Sequence, residues 1–62
     1  MSKIDKLINY AYSTNIDNVA DLYLFDIITY RELEATVINM HIDDYQTYLD
    51  NCQKSYDDLH AR

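Results

Sequence analysis

Residues 45–59 read YQTYLDNCQKSYDDL, and this stretch decides the fold class. Apolar and aromatic side chains recur along it every third or fourth residue: Tyr45, Tyr48, Leu49, Cys52, Tyr56 and Leu59. At about 100° per residue, all of them fall within an arc of about 100° on a helix surface. The pattern predicts an amphipathic helix with one apolar face in a core.

The other face of this helix is acidic. Asp43, Asp50 and Asp57 follow one another at seven-residue spacing, Asp44 and Asp58 flank them, and only Lys54 relieves the charge. Asp43, with Gln46 three residues later, has the pattern of a capping box and predicts the helix start. Asp43, Asp44, Asp50, Asp57 and Asp58 are therefore the predicted partner-binding face, with carboxylates repeating about every 10.5 Å along the axis.

Two helices are predicted before residue 29. The first runs from about Lys3 to Tyr12, with Ser2 as its N-cap. The second starts after Asn15 or Asp17 and runs to about Ile27. Its apolar residues surround the second half of the helix and predict burial on several sides; they are Leu22, Tyr23, Leu24, Phe25, Ile27 and Ile28.

Thr29 and Glu32 form a capping box that opens a third helix, from about Tyr30 to Met40. Ile28 and Leu33 are spaced for the accompanying hydrophobic staple. The segment 22–33, LYLFDIITYREL, resembles the short helix–turn–helix units that read LYxxGIITxEEF in many bacterial and phage proteins. Asp26 stands where those units have glycine. The resemblance implies a helical hairpin and carries no function with it.

The chain contains no glycine and no proline. Tight β-hairpin turns depend on residues that accept positive φ, and the sequence has no Asn-Gly or Asp-Gly pair. We therefore expect an all-α fold, a compact bundle of three to four short helices in one domain over residues 1–62. A bundle this small has a thin stability margin, so a homodimer is an alternative to a monomer.

Charge and hydropathy limit the classes of partner. Five Lys and Arg stand against eleven Asp and Glu, a formal charge of −6. This balance repels nucleic-acid phosphates and favours a basic partner.

No apolar run approaches the roughly 18 residues of a membrane span. The first residues lack a signal-peptide pattern and Cys52 is a single thiol, so a cytoplasmic location is expected.

No set of residues predicts catalysis, a metal or a cofactor. Cys52 falls on the apolar stripe, where a thiol acts as a small hydrophobic group. His41 is expected at the junction of the third and fourth helices, and no second histidine stands at metal-ligand spacing from it. The carboxylates lie on faces expected to be solvated, so they lack the pocket that general acid–base chemistry requires.

Seven tyrosines stand beside one phenylalanine. Tyrosine combines an apolar ring with a polar tip and is enriched at interfaces. Tyr10, Tyr12 and Tyr30 are the predicted aromatic partner contacts, because the remaining tyrosines fall mainly on inward faces.

Three functions remain open from the sequence. The first is a protein-binding inhibitor that blocks a basic, nucleic-acid-handling host protein, as anti-CRISPR and anti-restriction proteins of phages and mobile elements do. The second is a helix–turn–helix DNA regulator, although its recognition helix would carry one arginine and two glutamates. The third is a homodimeric assembly module held together by the apolar stripe of the fourth helix.

Overall fold

The computed structural model describes residues 2–61, which form four helices and no strand. These are α1 (Lys3–Ser13), α2 (Ile16–Leu24), α3 (Tyr30–Asn39) and α4 (Tyr45–His60). The predicted all-α bundle is thereby confirmed. The Cα radius of gyration is 11.1 Å, close to the roughly 10.6 Å expected of a compact domain of this length.

Side-chain caps explain where the first three helices begin. Ser2 accepts a hydrogen bond from the Asp5 amide, and Asn15 accepts one from the Asp17 amide. At α3 the predicted capping box is complete: Thr29 Oγ1 accepts from the Glu32 amide, and Glu32 Oε1 accepts from the Thr29 amide. Each cap satisfies a backbone donor that the first helical turn leaves unpaired.

The end of α2 differs from the prediction. The helix stops at Leu24, and the Ile27 amide donates back to the Leu22 carbonyl at 2.8 Å. This is a Schellman motif, in which the residue after the cap takes the left-handed conformation. Asp26 occupies that position with φ 61°. The expected burial of Phe25 and Ile27 is therefore wrong, since they are 67% and 61% exposed.

The start of α4 also differs. Asp44, not Asp43, is the N-cap residue; its φ of 52° is left-handed and its side chain makes no cap hydrogen bond. The predicted Asp43–Gln46 capping box is wrong because this backbone turn lies one residue later. The Gln46 side chain bonds to Asp50 instead. His41 does lie at the junction of α3 and α4, with φ 55°.

One hydrophobic core joins all four helices. α2 and α3 lie between α1 and α4, which make no contact with each other within the described residues. Leu33 and Leu49 are fully buried, and Ile28 and Leu33 of the predicted staple share this core. The apolar stripe of α4 is covered by its own chain at Leu49 and Cys52, whereas Tyr45 and Leu59 at its ends are exposed.

No helix described for residues 2–61 is long and apolar enough to cross a bilayer.

Candidate interaction surface

Three carboxylates lie on the outer side of α4. Asp50, Asp57 and Asp58 are exposed, and at about 100° per residue they fall within an arc of about 100°. We call these three residues the acidic surface. Lys54 lies within the same arc and is the only cation on this side of the helix. The acidic surface therefore keeps an excess of negative charge.

Asp43 and Asp44 do not continue this surface along the helix. Both are exposed, but both precede the first residue of α4. The predicted ladder of three carboxylates at seven-residue steps is therefore reduced to one helical step, from Asp50 to Asp57. The reason is again the left-handed backbone at Asp44, which turns the chain before the helix begins.

Glutamine side chains orient two of these carboxylates. Gln46 Nε2 donates to Asp50 Oδ1 at 3.3 Å, and Gln53 Nε2 donates to Asp57 Oδ1 at 2.9 Å. The Tyr23 hydroxyl in turn donates to Gln53 Oε1 at 2.8 Å. The Asp57 carboxylate is thus linked through Gln53 to a buried tyrosine of α2. Such links hold the carboxylates in place without neutralising them.

A second acidic feature lies on the other flank of α4, and the sequence analysis missed it. Asp17 and Asp21, one turn apart on α2, border a groove between α2 and α4. The Tyr48 hydroxyl of α4 donates to Asp17 Oδ1 at 2.6 Å across the mouth of the groove. The spacing of the two aspartates was the available signal. Their position beside α4 depends on packing that no local pattern contains.

The groove is open and holds about 260 Å³. Ala20, Leu24 and Cys52 supply apolar lining, while Asn51 and Ser55 add polar groups on the α4 side. Cys52 is buried, and desolvation raises the pKa of its thiol above the ordinary value. This agrees with the expectation that Cys52 is a packing residue, because a nucleophilic cysteine requires a lowered pKa.

A polar clamp fixes the C-terminal end of α4 to the α2–α3 turn. The Tyr56 hydroxyl donates to Asp26 Oδ1 at 2.5 Å, and His60 Nε2 lies 3.0 Å from the Leu24 carbonyl oxygen. The Tyr56 ring stacks between Tyr23 and His60, with centroid distances of 4.6 and 4.0 Å. The hydrogen bond to Asp26, followed by burial, raises the pKa of Tyr56.

The three aromatic residues predicted to contact a partner do not form one surface. Tyr10 and Tyr12 are 42% and 66% exposed on α1, a helix that does not touch α4. Tyr30 is half-buried, and its ring meets Tyr23 edge-on at 5.8 Å. Tyr30 therefore packs at the margin of the core. Burial, followed by the charges of Glu34 and Asp50, raises the pKa of Tyr30. Tyr30 therefore lies near one residue of the acidic surface, whereas Tyr10 and Tyr12 lie on a different helix.

Few of the carboxylates are paired with a cation. Within residues 2–61, Lys3–Glu32 at 3.0 Å is the one ion pair that involves a lysine or arginine. The amide of Thr29 and then Lys3 lower the pKa of Glu32.

Within residues 2–61, no three His, Cys, Asp or Glu side chains are placed to bind a metal ion.

Comparisons with protein-family models, curated proteins and solved structures found no match to this chain. Fixed, uncompensated carboxylates at the surface can attract a positively charged partner and position its cations.

Proposed function

We propose that this protein binds a basic protein surface through its acidic surface and, by covering it, inhibits that partner. The observation that carries the proposal is the exposure of Asp50, Asp57 and Asp58 on one side of α4, where Lys54 is the one lysine or arginine of that helix. Complementary potentials of this kind accelerate encounter and select against acidic competitors.

A nucleic-acid-handling protein is the partner class that fits best. Such proteins present lysines and arginines that neutralise phosphates, and ordered carboxylates can occupy the same cationic site. Inhibitors of this kind are encoded by phages and mobile elements, which makes an anti-defence role the specific hypothesis. We place the encounter in the cytoplasm, where a free thiol such as Cys52 remains reduced.

The alternatives have less support. As a DNA-binding regulator, the chain would present α3, where Arg31 is the only cation beside Glu32 and Glu34. As an obligate dimer built on α4, it would need apolar residues that the chain itself buries, Leu49 and Cys52. Direct binding of duplex DNA at physiological salt would favour the regulator, and sedimentation equilibrium would detect a dimer.

The test is capture of a partner from a lysate of the source cells, followed by mass spectrometry and competition. We expect the tagged protein to retain a basic nucleic-acid-binding protein, and duplex DNA to displace it. The double variant Asp50→Asn/Asp58→Asn should lose this capture. Raising the salt concentration should weaken it as well, since the attraction between exposed charges is screened.

A charge-matched control distinguishes the acidic surface from net charge. Asp5→Asn/Ser13→Lys also adds two positive units to the formal −6, but on α1, which makes no contact with α4. We expect this control to retain the partner. Equal retention by both double variants, or capture that DNA does not displace, would contradict the proposal.

A further inference from the structure

We propose that the groove between α2 and α4 receives an arginine side chain of the partner protein. This inference rests on the proposed function and adds a second, more specific contact to it. The groove lies on the other flank of α4 from Asp50 and Asp57. A basic protein that covers α4 can therefore contact both the groove and the acidic surface.

The lining matches the two parts of an arginine side chain. Ala20, Leu24 and Cys52 offer small and apolar surface to the methylene stem, which proteins commonly bury while the charged head stays near water. Asp17 and Asp21 border the same space and place negative charge where the guanidinium would lie. Lining and charge thus point to one long cationic side chain.

The hydrogen-bonding groups favour arginine over lysine. Asp17 Oδ1 already accepts from Tyr48 at 2.6 Å, which leaves its other oxygen as an acceptor. The Asp21 carboxylate makes no side-chain hydrogen bond or ion pair within residues 2–61. Asn51 and Ser55 face these aspartates from α4. A planar guanidinium with five donors can bond to acceptors on both walls, whereas an ammonium acts as a point charge.

The groove is small and open for a ligand pocket. Pockets for small organic ligands and cofactors enclose about 300–1,000 Å³ and bury most of the ligand. The present groove holds about 260 Å³ and is open along one side. It therefore suits a single side chain projecting from a larger partner.

The groove is held in shape by contacts on both sides. The Tyr48–Asp17 hydrogen bond ties its N-terminal part, and the His60 contact with the Leu24 carbonyl ties the C-terminal ends of α2 and α4. A preformed site loses little conformational entropy on binding. An isolated arginine peptide should therefore bind measurably, although weakly.

The test is titration of the full ¹⁵N-labelled chain with acetyl-Ala-Arg-Ala-amide, followed by two-dimensional NMR. Lysine and citrulline peptides serve as comparisons. We expect saturable shifts centred on the amides of Ala20, Leu24 and Ser55, smaller shifts with lysine and none with citrulline. Shifts spread over all exposed carboxylates, or equal shifts with citrulline, would overturn the inference.

Two variants localise the binding. Asp21→Asn should weaken the arginine peptide about fivefold, as expected for the loss of one exposed charge pair, and Ser55→Tyr should block the groove. Asp5→Asn removes the same charge on α1, outside both the groove and the acidic surface, and should leave peptide binding unchanged. Unchanged binding by Ser55→Tyr, in a variant with a native helical spectrum, would also overturn the inference.

The two proposals can fail separately. If Ser55→Tyr captures the basic partner as well as the unmodified chain while Asp50→Asn/Asp58→Asn does not, the groove inference is wrong and the proposed function stands. If the arginine peptide fills the groove but no basic protein is captured, the groove binds arginine, but the proposed function is wrong.

Discussion

Asp26 combines an unfavourable backbone conformation with side-chain contacts that stabilise the fold. Its φ of 61° is left-handed, a conformation that costs most residues with a β-carbon roughly 1–2 kcal/mol. Its carboxylate accepts from the Tyr56 hydroxyl and lies 3.6 Å from His60 Nε2. These contacts offset part of the backbone cost, which explains how a turn can form here without glycine.

Two substitutions at Asp26 separate the backbone effect from the side-chain effect. Asp26→Ala and Asp26→Gly both remove the carboxylate, but only glycine accepts a left-handed backbone without penalty. We expect the glycine variant to be more stable than the alanine variant by about 1 kcal/mol in urea unfolding. An alanine variant of equal or greater stability would contradict the left-handed turn at this position.

Tyr48 should make the stability of the protein depend on pH in the alkaline range. Burial, followed by the hydrogen bond to Asp17, raises the pKa of its phenol above 10.0. The neutral phenol is thus favoured by folding, so its contribution to stability is present below pH 10.0 and is lost as the pH rises further.

Tyr48→Phe tests this contribution. The variant keeps the ring but has no phenol to ionise, so its free energy of unfolding should fall less steeply above pH 10.0 than that of the unmodified chain. Urea unfolding at several alkaline pH values measures the two slopes. Some decline will persist, because burial also raises the pKa of Tyr23 and Tyr30. Identical slopes would mean that folding does not raise the pKa of Tyr48.

At the scale of the helix, side-chain caps were predictable, whereas the left-handed turns at Asp26 and Asp44 were not. Ser2 and Thr29 were correctly identified as caps because a cap is a local side-chain-to-backbone bond that the sequence itself encodes. The end of α2 was missed because the apolar run through Ile27 continues the helical pattern. The usual stop signal is glycine, and here Asp26 takes its place.

The capping box that formed at Thr29 and the one that did not form at Asp43 give a paired prediction for α3 and α4. Thr29→Ala removes a formed capping box and should cost about 1 kcal/mol of stability. Asp43→Ala removes a residue that had the sequence pattern of a cap but does not cap α4, and should cost less than about 0.5 kcal/mol. Thermal unfolding of the two variants measures the difference. Equal losses would indicate that Asp43 caps the helix after all.

At the scale of the whole molecule, composition predicted the bundle and its acidity, but not the groove. The groove joins Asp17 and Asp21 to residues of α4 about thirty positions later, such as Tyr48 and Asn51. Periodicity assigns each residue to a face of its own helix and does not say which faces meet. The reduction of the acidic ladder to Asp50, Asp57 and Asp58 likewise depended on the turn before α4.

The reactivity of the Cys52 thiol reports whether the core of the bundle is folded. It is 9% exposed between α2 and α4, and its thiol pKa is raised by desolvation. A thiol reagent such as Ellman's reagent should therefore react slowly with the folded chain at pH 8, and faster as urea is added. Leu49→Ala, which opens a cavity at a fully buried position, should accelerate the reaction because it destabilises the fold by about 2–5 kcal/mol. Rapid labelling of the unmodified chain would contradict this packing.

The left-handed turns at Asp26, His41 and Asp44 also have a consequence in time. They reverse the chain without proline, and so without the peptide-bond isomerisation that delays the folding of many small proteins by tens of seconds. Small helical bundles generally fold within microseconds to milliseconds. Stopped-flow refolding should therefore show one rapid phase, and a newly synthesised copy should fold almost as soon as it is released from the ribosome.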